Sequence, residues 1–192
     1  MARKSKKKEV FWNVPNVLSM SRIFLTIAII FMILTESNIT AIVVIFVIAA
    51  ITDFLDGQIA RMFNQKTEIG RKLDMIADRF LMIGTVLTFI IMFEFRGLLT
   101  GWKIAEIFFI MSRELISFPF TIIIFSSGLR VPKAIFIGKL TTVLQGFAFP
   151  IFLLSIYHPF FEFSIYLSAI TGVVGAISSI FYIREVFMEA NK

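Results

Sequence analysis

Asp53-Phe54-Leu55-Asp56-Gly57-Gln58-Ile59-Ala60-Arg61 is followed, after eight residues, by Gly70-Arg71-Lys72-Leu73-Asp74-Met75-Ile76-Ala77-Asp78. Four carboxylates with small residues between them thus stand in a chain that is 58% hydrophobic. A charged side chain deep in a membrane segment costs about 2.5–3.5 kcal/mol even on insertion scales, so four together need a physical reason. Carboxylate oxygens are hard donors of the kind Mg²⁺ and Mn²⁺ prefer, and a divalent-cation site is the chemistry these residues point to. Two other readings stay open here: acids paired structurally with Arg61, Arg71 and Arg79, and a proton or ion pathway.

Spacing says which elements must hold these groups. Positions 53, 56, 57, 60 and 61 fall at i, i+3, i+4, i+7 and i+8, which is one face of a helix. Positions 70, 74 and 78 likewise share a face, so each of two helices carries one polar seam. From Ile39 to Asp53 is ~21 Å of helix and from Asp78 to Phe93 ~22 Å, at ~1.5 Å per residue. In an antiparallel pair both seams therefore lie at one depth. Gly57, Ala60 and Gly70 leave room for close packing or for a ligand against the backbone.

The chain of 192 residues has 24 Phe and a mean hydropathy of +0.89, far more apolar than a soluble domain. Apolar stretches near the ~20 residues that cross a bilayer recur along its length. The expected fold class is an all-α membrane protein with six transmembrane helices. They are read as Val17–Thr35, Ile39–Arg61, Lys72–Phe95, Trp102–Ser126, Ala134–Tyr157 and Phe160–Phe187. A short amphipathic juxtamembrane helix is expected around Glu9–Val14, with Pro15 opening the next element. Residues 1–16 form a basic tail and juxtamembrane segment, and 17–192 a single six-helix domain without internal repeats.

The formal net charge of +6 does not point to nucleic acid, because the charge is clustered: Arg3, Lys4, Lys6, Lys7 and Lys8 precede the first span. Such a run suits anionic lipid headgroups. With the N-terminus inside, the inner loops also collect Arg61, Lys66, Arg71, Lys72, Arg130, Lys133, Lys139 and Arg184, and the outer side receives Arg96 and Lys103. The positive-inside rule then puts both termini, and the aspartate seams, on the cytoplasmic side of a cell membrane. Absence of Cys excludes disulfides and thiolate metal sites. No cleavable signal is expected, since the first apolar stretch lacks a small-residue cleavage site. Gly172, Gly175, Ala176 and Ser179 suggest close helix packing in the last span, in a homodimer for example.

The aspartate segment resembles the signature of the CDP-alcohol phosphotransferase family, Asp-x-x-Asp-Gly-x-x-Ala-Arg, eight residues, then Gly-x-x-x-Asp-x-x-x-Asp. Every fixed position is met, and the six-span layout extends the resemblance over nearly the whole chain. It implies an enzyme that transfers a substituted phosphate from a CDP-linked donor, usually CDP-diacylglycerol, to an alcohol with release of CMP. It also implies that Asp53, Asp56, Asp74 and Asp78 hold two divalent cations, Mg²⁺ or Mn²⁺, and that Asp78 is the catalytic base. Gly57, Ala60, Arg61 and Gly70 would line the cytidine-diphosphate site, joined by Asn16.

Three further segments resemble the phosphatidylglycerophosphate synthases of that family. Asn13-Val14-Pro15-Asn16-Val17-Leu18-Ser19-Met20-Ser21-Arg22 resembles their opening, which cardiolipin synthases share. Ser112-Arg113-Glu114-Leu115-Ile116-Ser117 resembles Ala-Arg-Glu-x-x-x-Ser, and Ile137–Gln145 resembles Gly-Lys-x-Lys-Thr-x-x-Gln. Thr141 replaces the second lysine, Met75 a usual proline and Arg79 a common lysine. The implied acceptor is sn-glycerol 3-phosphate, its phosphate met by Arg113, Lys139, Arg130 and Lys133. For Arg113 an ion pair with Glu106 or Glu114 is the competing expectation. Cardiolipin synthase and inositol-phosphate or other head-group synthases are alternatives within the family. A cation transporter or non-catalytic subunit is the alternative outside it, though paired broken helices at mid-membrane are not evident.

Overall fold

A computed structural model describes residues 14–62, 68–127 and 136–190, with the backbone alone at residues 53–62 and a few further positions. The expected helix at Glu9–Val14 lies outside the described residues, save that Val14 opens the first helix. The helices are α1 (Val14–Leu34), α2 (Ile39–Met62), α3 (Glu68–Arg79), α4 (Thr85–Glu94), α5 (Gly101–Ser127), α6 (Phe136–Ser155) and α7 (Ser164–Ala190). A five-residue π turn, Phe80–Gly84, joins α3 to α4 in one continuous rod. Six rods therefore stand where six spans were expected. The third differs in being wound more loosely at its middle, since each π turn holds an extra residue.

Five stretches are long and apolar enough to cross a membrane: Asn16–Leu34, Lys72–Glu94, Gly101–Ile124, Phe136–Ser155 and Pro159–Met188. By the length and apolarity of these helices the chain is a multi-pass membrane protein. In α2 the described side chains, Ile39–Thr52, form an apolar stretch as well. Large apolar side chains cover the outside, Phe24, Phe31, Phe147 and Tyr166 among them, a pattern suited to lipid and foreign to water.

Both short turns at one end follow from local chemistry. Ser37 N donates to Met32 O at 2.9 Å and Glu36 N to Ile33 O at 3.1 Å, with Glu36 in the left-handed region at φ 56°. Leu98 and Gly97 repeat the pattern on Phe93 O and Glu94 O, with Gly97 at φ 63°. These are Schellman stops, which satisfy the last carbonyls of α1 and α4. Asn38 Oδ1 then accepts from Thr40 N at 2.8 Å, capping α2. An ion pair between Arg96 and Glu36 ties the two turns together.

At the same end Lys103 Nζ donates to Glu106 Oε1 at 3.0 Å and to Ser155 Oγ at 2.8 Å. Ser164 Oγ donates to the other Glu106 oxygen. The start of α5 is thus pinned to the end of α6 and the start of α7. The core beside these braces is aromatic: Phe46, Phe89, Phe149 and Phe152 are 1% exposed or less. The rings of Phe46 and Phe149 lie 5.0 Å apart and those of Phe89 and Phe152 5.7 Å, joining α2, α4 and α6. Part of the Phe excess is therefore internal; Phe147 and Phe160 do face outward.

The small residues of α7 are spent inside the chain. A Cβ on Gly172 would stand 2.7 Å from Phe109, and one on Gly175 2.6 Å from Ser112 Oγ. Ser112 Oγ donates to Gly172 O, and Ser179 Oγ to Arg113 O. Gly172, Gly175 and Ser179 thus seat α7 on α5 within the chain.

Candidate active site

Helix α1 packs against α2 and against the whole α3–π–α4 rod, and its buried face explains how the aspartates are held. Asn16, Ser19, Arg22 and Thr26 recur at three- and four-residue steps in an otherwise apolar helix and are all at most 3% exposed. Arg22 is fully buried, and its Nη1 donates to Asp74 Oδ1 at 3.2 Å, the Asp74 side chain being 51% exposed. The helix turn behind it is fixed by Thr26 Oγ1, which donates to Arg22 O at 2.8 Å. Arg22 thus anchors one carboxylate on α3. Sequence reasoning used it only as part of the opening segment; an arginine inside a span was itself the signal.

Asp74 and Asp78, one turn apart on α3, project from the first turns of the Lys72–Glu94 span, with Gly70 one turn earlier. Asp53, Asp56, Gly57, Ala60 and Arg61 lie on the last three turns of α2, and their side chains are outside the described residues. Among the described residues no three metal-ligating side chains converge. The described pair supplies hard oxygen donors at i, i+4 spacing, a donor set that fits a Mg²⁺ or Mn²⁺ ion completed by further carboxylates.

On the other side of Asp78, α5 and α6 bring together the two segments singled out in the sequence. Arg113 Nη1 donates to Thr142 Oγ1 at 2.7 Å. Gln145 Nε2 donates to Glu114 Oε2 at 2.5 Å and to Ile110 O at 2.8 Å. Glu114 is 3% exposed. The expected ion pair of Arg113 with Glu106 is absent, because Glu106 is held by Lys103 and Ser164 at the opposite end of α5. Lys139 is exposed on α6, one turn before Thr142. Thr141 is fully buried, its Oγ1 donating to Ile137 O at 2.9 Å. Arg130 and Lys133 lie outside the described residues.

Arg79, next to Asp78, was not among the expected site residues. Its Nη2 donates to Ser117 Oγ at 3.2 Å, and its guanidinium carbon lies 6.0 Å from the centre of the Tyr182 ring. Its Nε and Nη1 are buried and have no acceptor among the described residues. A buried donor without a partner costs about 1–3 kcal/mol, more when charged.

A carboxylate pair and several guanidinium groups inside a helical bundle are the kinds of group that phosphate chemistry uses. A match to the CDP-alcohol phosphatidyltransferase family spans residues 12–181, and the chain belongs to that family. It is 43% identical over 67 residues to a CDP-diacylglycerol–glycerol-3-phosphate 3-phosphatidyltransferase of Aquifex aeolicus, covering 35% of this chain and 37% of that one. It is 30% identical over 149 residues to a cardiolipin synthase (CMP-forming) of Streptomyces coelicolor, 74% of this chain and 66% of that one. A CDP-diacylglycerol–glycerol-3-phosphate 3-phosphatidyltransferase of Cereibacter sphaeroides is 30% identical over 137 residues, 70% and 54% respectively. The chain thus spans from about a third to two thirds of the length of these relatives.

Proposed function

We propose that this protein transfers the phosphatidyl group of CDP-diacylglycerol to the hydroxyl of sn-glycerol 3-phosphate and releases CMP. The observation that carries the choice of acceptor is the junction of α5 and α6 beside Asp78. There Arg113 donates to Thr142 Oγ1 at 2.7 Å, with Lys139 one turn away, and a pair of cations of this kind would suit a phosphorylated acceptor. A second reading, cardiolipin synthesis with phosphatidylglycerol as acceptor, is supported by the Streptomyces relative, which covers more of the chain, and by Thr141 in place of a lysine.

In this reading Asp53, Asp56, Asp74 and Asp78 hold two divalent cations. When bound, the cations neutralise the donor diphosphate and stabilise the CMP leaving group. Arg22 keeps Asp74 in place, Asp78 takes the proton from the acceptor hydroxyl as it attacks phosphorus, and Arg61 contacts donor phosphate. Gly57, Ala60, Gly70 and Asn16 border the cytidine diphosphate, and Arg113 and Lys139, with Arg130 and Lys133, hold the acceptor phosphate. All six rods span the membrane, with both termini and the site at the cytoplasmic face and the Lys-rich N-terminus on anionic lipid. A homodimer forms through a face other than the α5–α7 seam.

The test is CMP release by purified protein with CDP-diacylglycerol, Mg²⁺ or Mn²⁺, and a panel of alcohols. Release with glycerol 3-phosphate is expected, and Asp78→Asn should abolish it while sparing metal-dependent CDP-lipid binding. Release with phosphatidylglycerol alone would replace the acceptor, and none with any alcohol would sink the enzymatic reading.

A further inference from the structure

The guanidinium of Arg79 is half used among the described residues. Of its three nitrogens, only Nη2 has an acceptor, Ser117 Oγ at 3.2 Å, while Nε and Nη1 are shielded from solvent without one. The side chain is nevertheless held firmly. Ser117 is 2% exposed and is itself fixed, donating to Arg113 O at 2.7 Å. The Tyr182 ring lies beside the guanidinium, its hydroxyl 3.2 Å from Thr121 Oγ1 and 3.9 Å from Met75 Sδ. No described carboxylate forms an ion pair with Arg79. A structural arginine inside a membrane bundle is paired; this one is positioned by α5 and α7 and keeps donors free. The backbone adds a second sign, since the π turn Phe80–Gly84 begins directly after Arg79, and such turns concentrate at functional sites.

A guanidinium takes two oxygens of an oxyanion through a planar fork, Nε with Nη2 on its side or Nη1 with Nη2 at its end, and Ser117 uses one N–H of Nη2. Arg79 adjoins Asp78, and through Ser117 it adjoins Arg113. We infer that the unused donors of Arg79, its Nε or Nη1 together with the second N–H of Nη2, are a binding site for a phosphate group of a substrate, either the donor diphosphate or the acceptor phosphate. The identity of those substrates rests on the transferase reading above; the anion site itself does not.

The test uses full-length protein in detergent, comparing wild type with Arg79→Met and Arg79→Lys. The first measurement is the unfolding midpoint, with inorganic phosphate or with chloride at matched ionic strength. A ligand-binding arginine predicts that phosphate raises the wild-type midpoint and that Arg79→Met loses this rise. The ligand-free midpoint of Arg79→Met should be unchanged or higher, because relief of the unpartnered Nε and Nη1 offsets loss of the contacts with Ser117 and the Tyr182 ring. The second measurement is the KM for each substrate in CMP release. At least a tenfold rise for one of them is expected in Arg79→Met, with Arg79→Lys between. A rise for glycerol 3-phosphate assigns the acceptor phosphate, and a rise for CDP-diacylglycerol assigns the donor.

A lower ligand-free midpoint with an intact phosphate response and unchanged KM values would make Arg79 a structural residue and overturn the site. If the wild type releases no CMP with any alcohol, the transferase reading fails. The phosphate-dependent midpoint then still decides the anion site.

Discussion

At the scale of single residues, the site is held by buried polar groups that each have a specific partner. Arg22 is the clearest, fully buried and bonded to an aspartate on another helix. A hydrogen bond to a charged group is worth about 1.5–3 kcal/mol, which sets the effect of removing it. Arg22→Met should lower kcat/KM for CMP release at least tenfold by releasing Asp74. Arg22→Lys should recover only part, since an ammonium cannot reproduce the planar fork. Equal rates in all three proteins would show that Asp74 needs no anchor. The spacing of the aspartates put each pair on one helix, and both segments are helical. The roles of Arg22, Arg79 and Glu114 were not legible, because their partners Asp74, Ser117 and Gln145 are 31 to 52 residues away in the chain.

At the scale of elements, one seam decides where Arg113 stands. Gly172 lets α7 touch the backbone of α5, with the nearest main-chain atom 3.2 Å from where its Cβ would be. Gly172→Ala must therefore push the helices apart, and overpacking of this kind costs about 1–3 kcal/mol. The expected result is a lower unfolding midpoint together with a raised KM for the acceptor. Gly146→Ala is the control: its added Cβ would meet only Ala50 Cβ at 3.7 Å, and it should leave both quantities unchanged or raise the midpoint slightly. Helix limits were readable within a few residues, because Glu36-Ser37-Asn38 and Gly97 carry their own stop signals. The α5–α7 seam was not: a stripe of small residues marks a close contact without naming the partner.

At the scale of the whole molecule, the bundle divides into two ends with different chemistry. One end is cross-braced by Arg96–Glu36 and by Lys103, Glu106, Ser155 and Ser164, over an aromatic core. The other end carries the aspartates and arginines. Hydropathy and charge bias reveal the rods, but they cannot show the braces, which join residues far apart in sequence. Nor could they show the π turn, since Phe80-Leu81-Met82-Ile83-Gly84 reads as ordinary apolar helix.

That turn acts as a phase setting between the two ends. It fixes by how many degrees the Asp74 and Asp78 half of the rod is rotated against the Phe89 and Phe93 half. One residue of α-helix corresponds to about 100° of rotation, so deleting Ile83 would turn the carboxylates well away from Arg22 while the aromatic half keeps its neighbours. CMP release should vanish in a protein that still purifies as a folded species. A fully active deletion would mean that the rod rewinds freely and that its timing is set elsewhere.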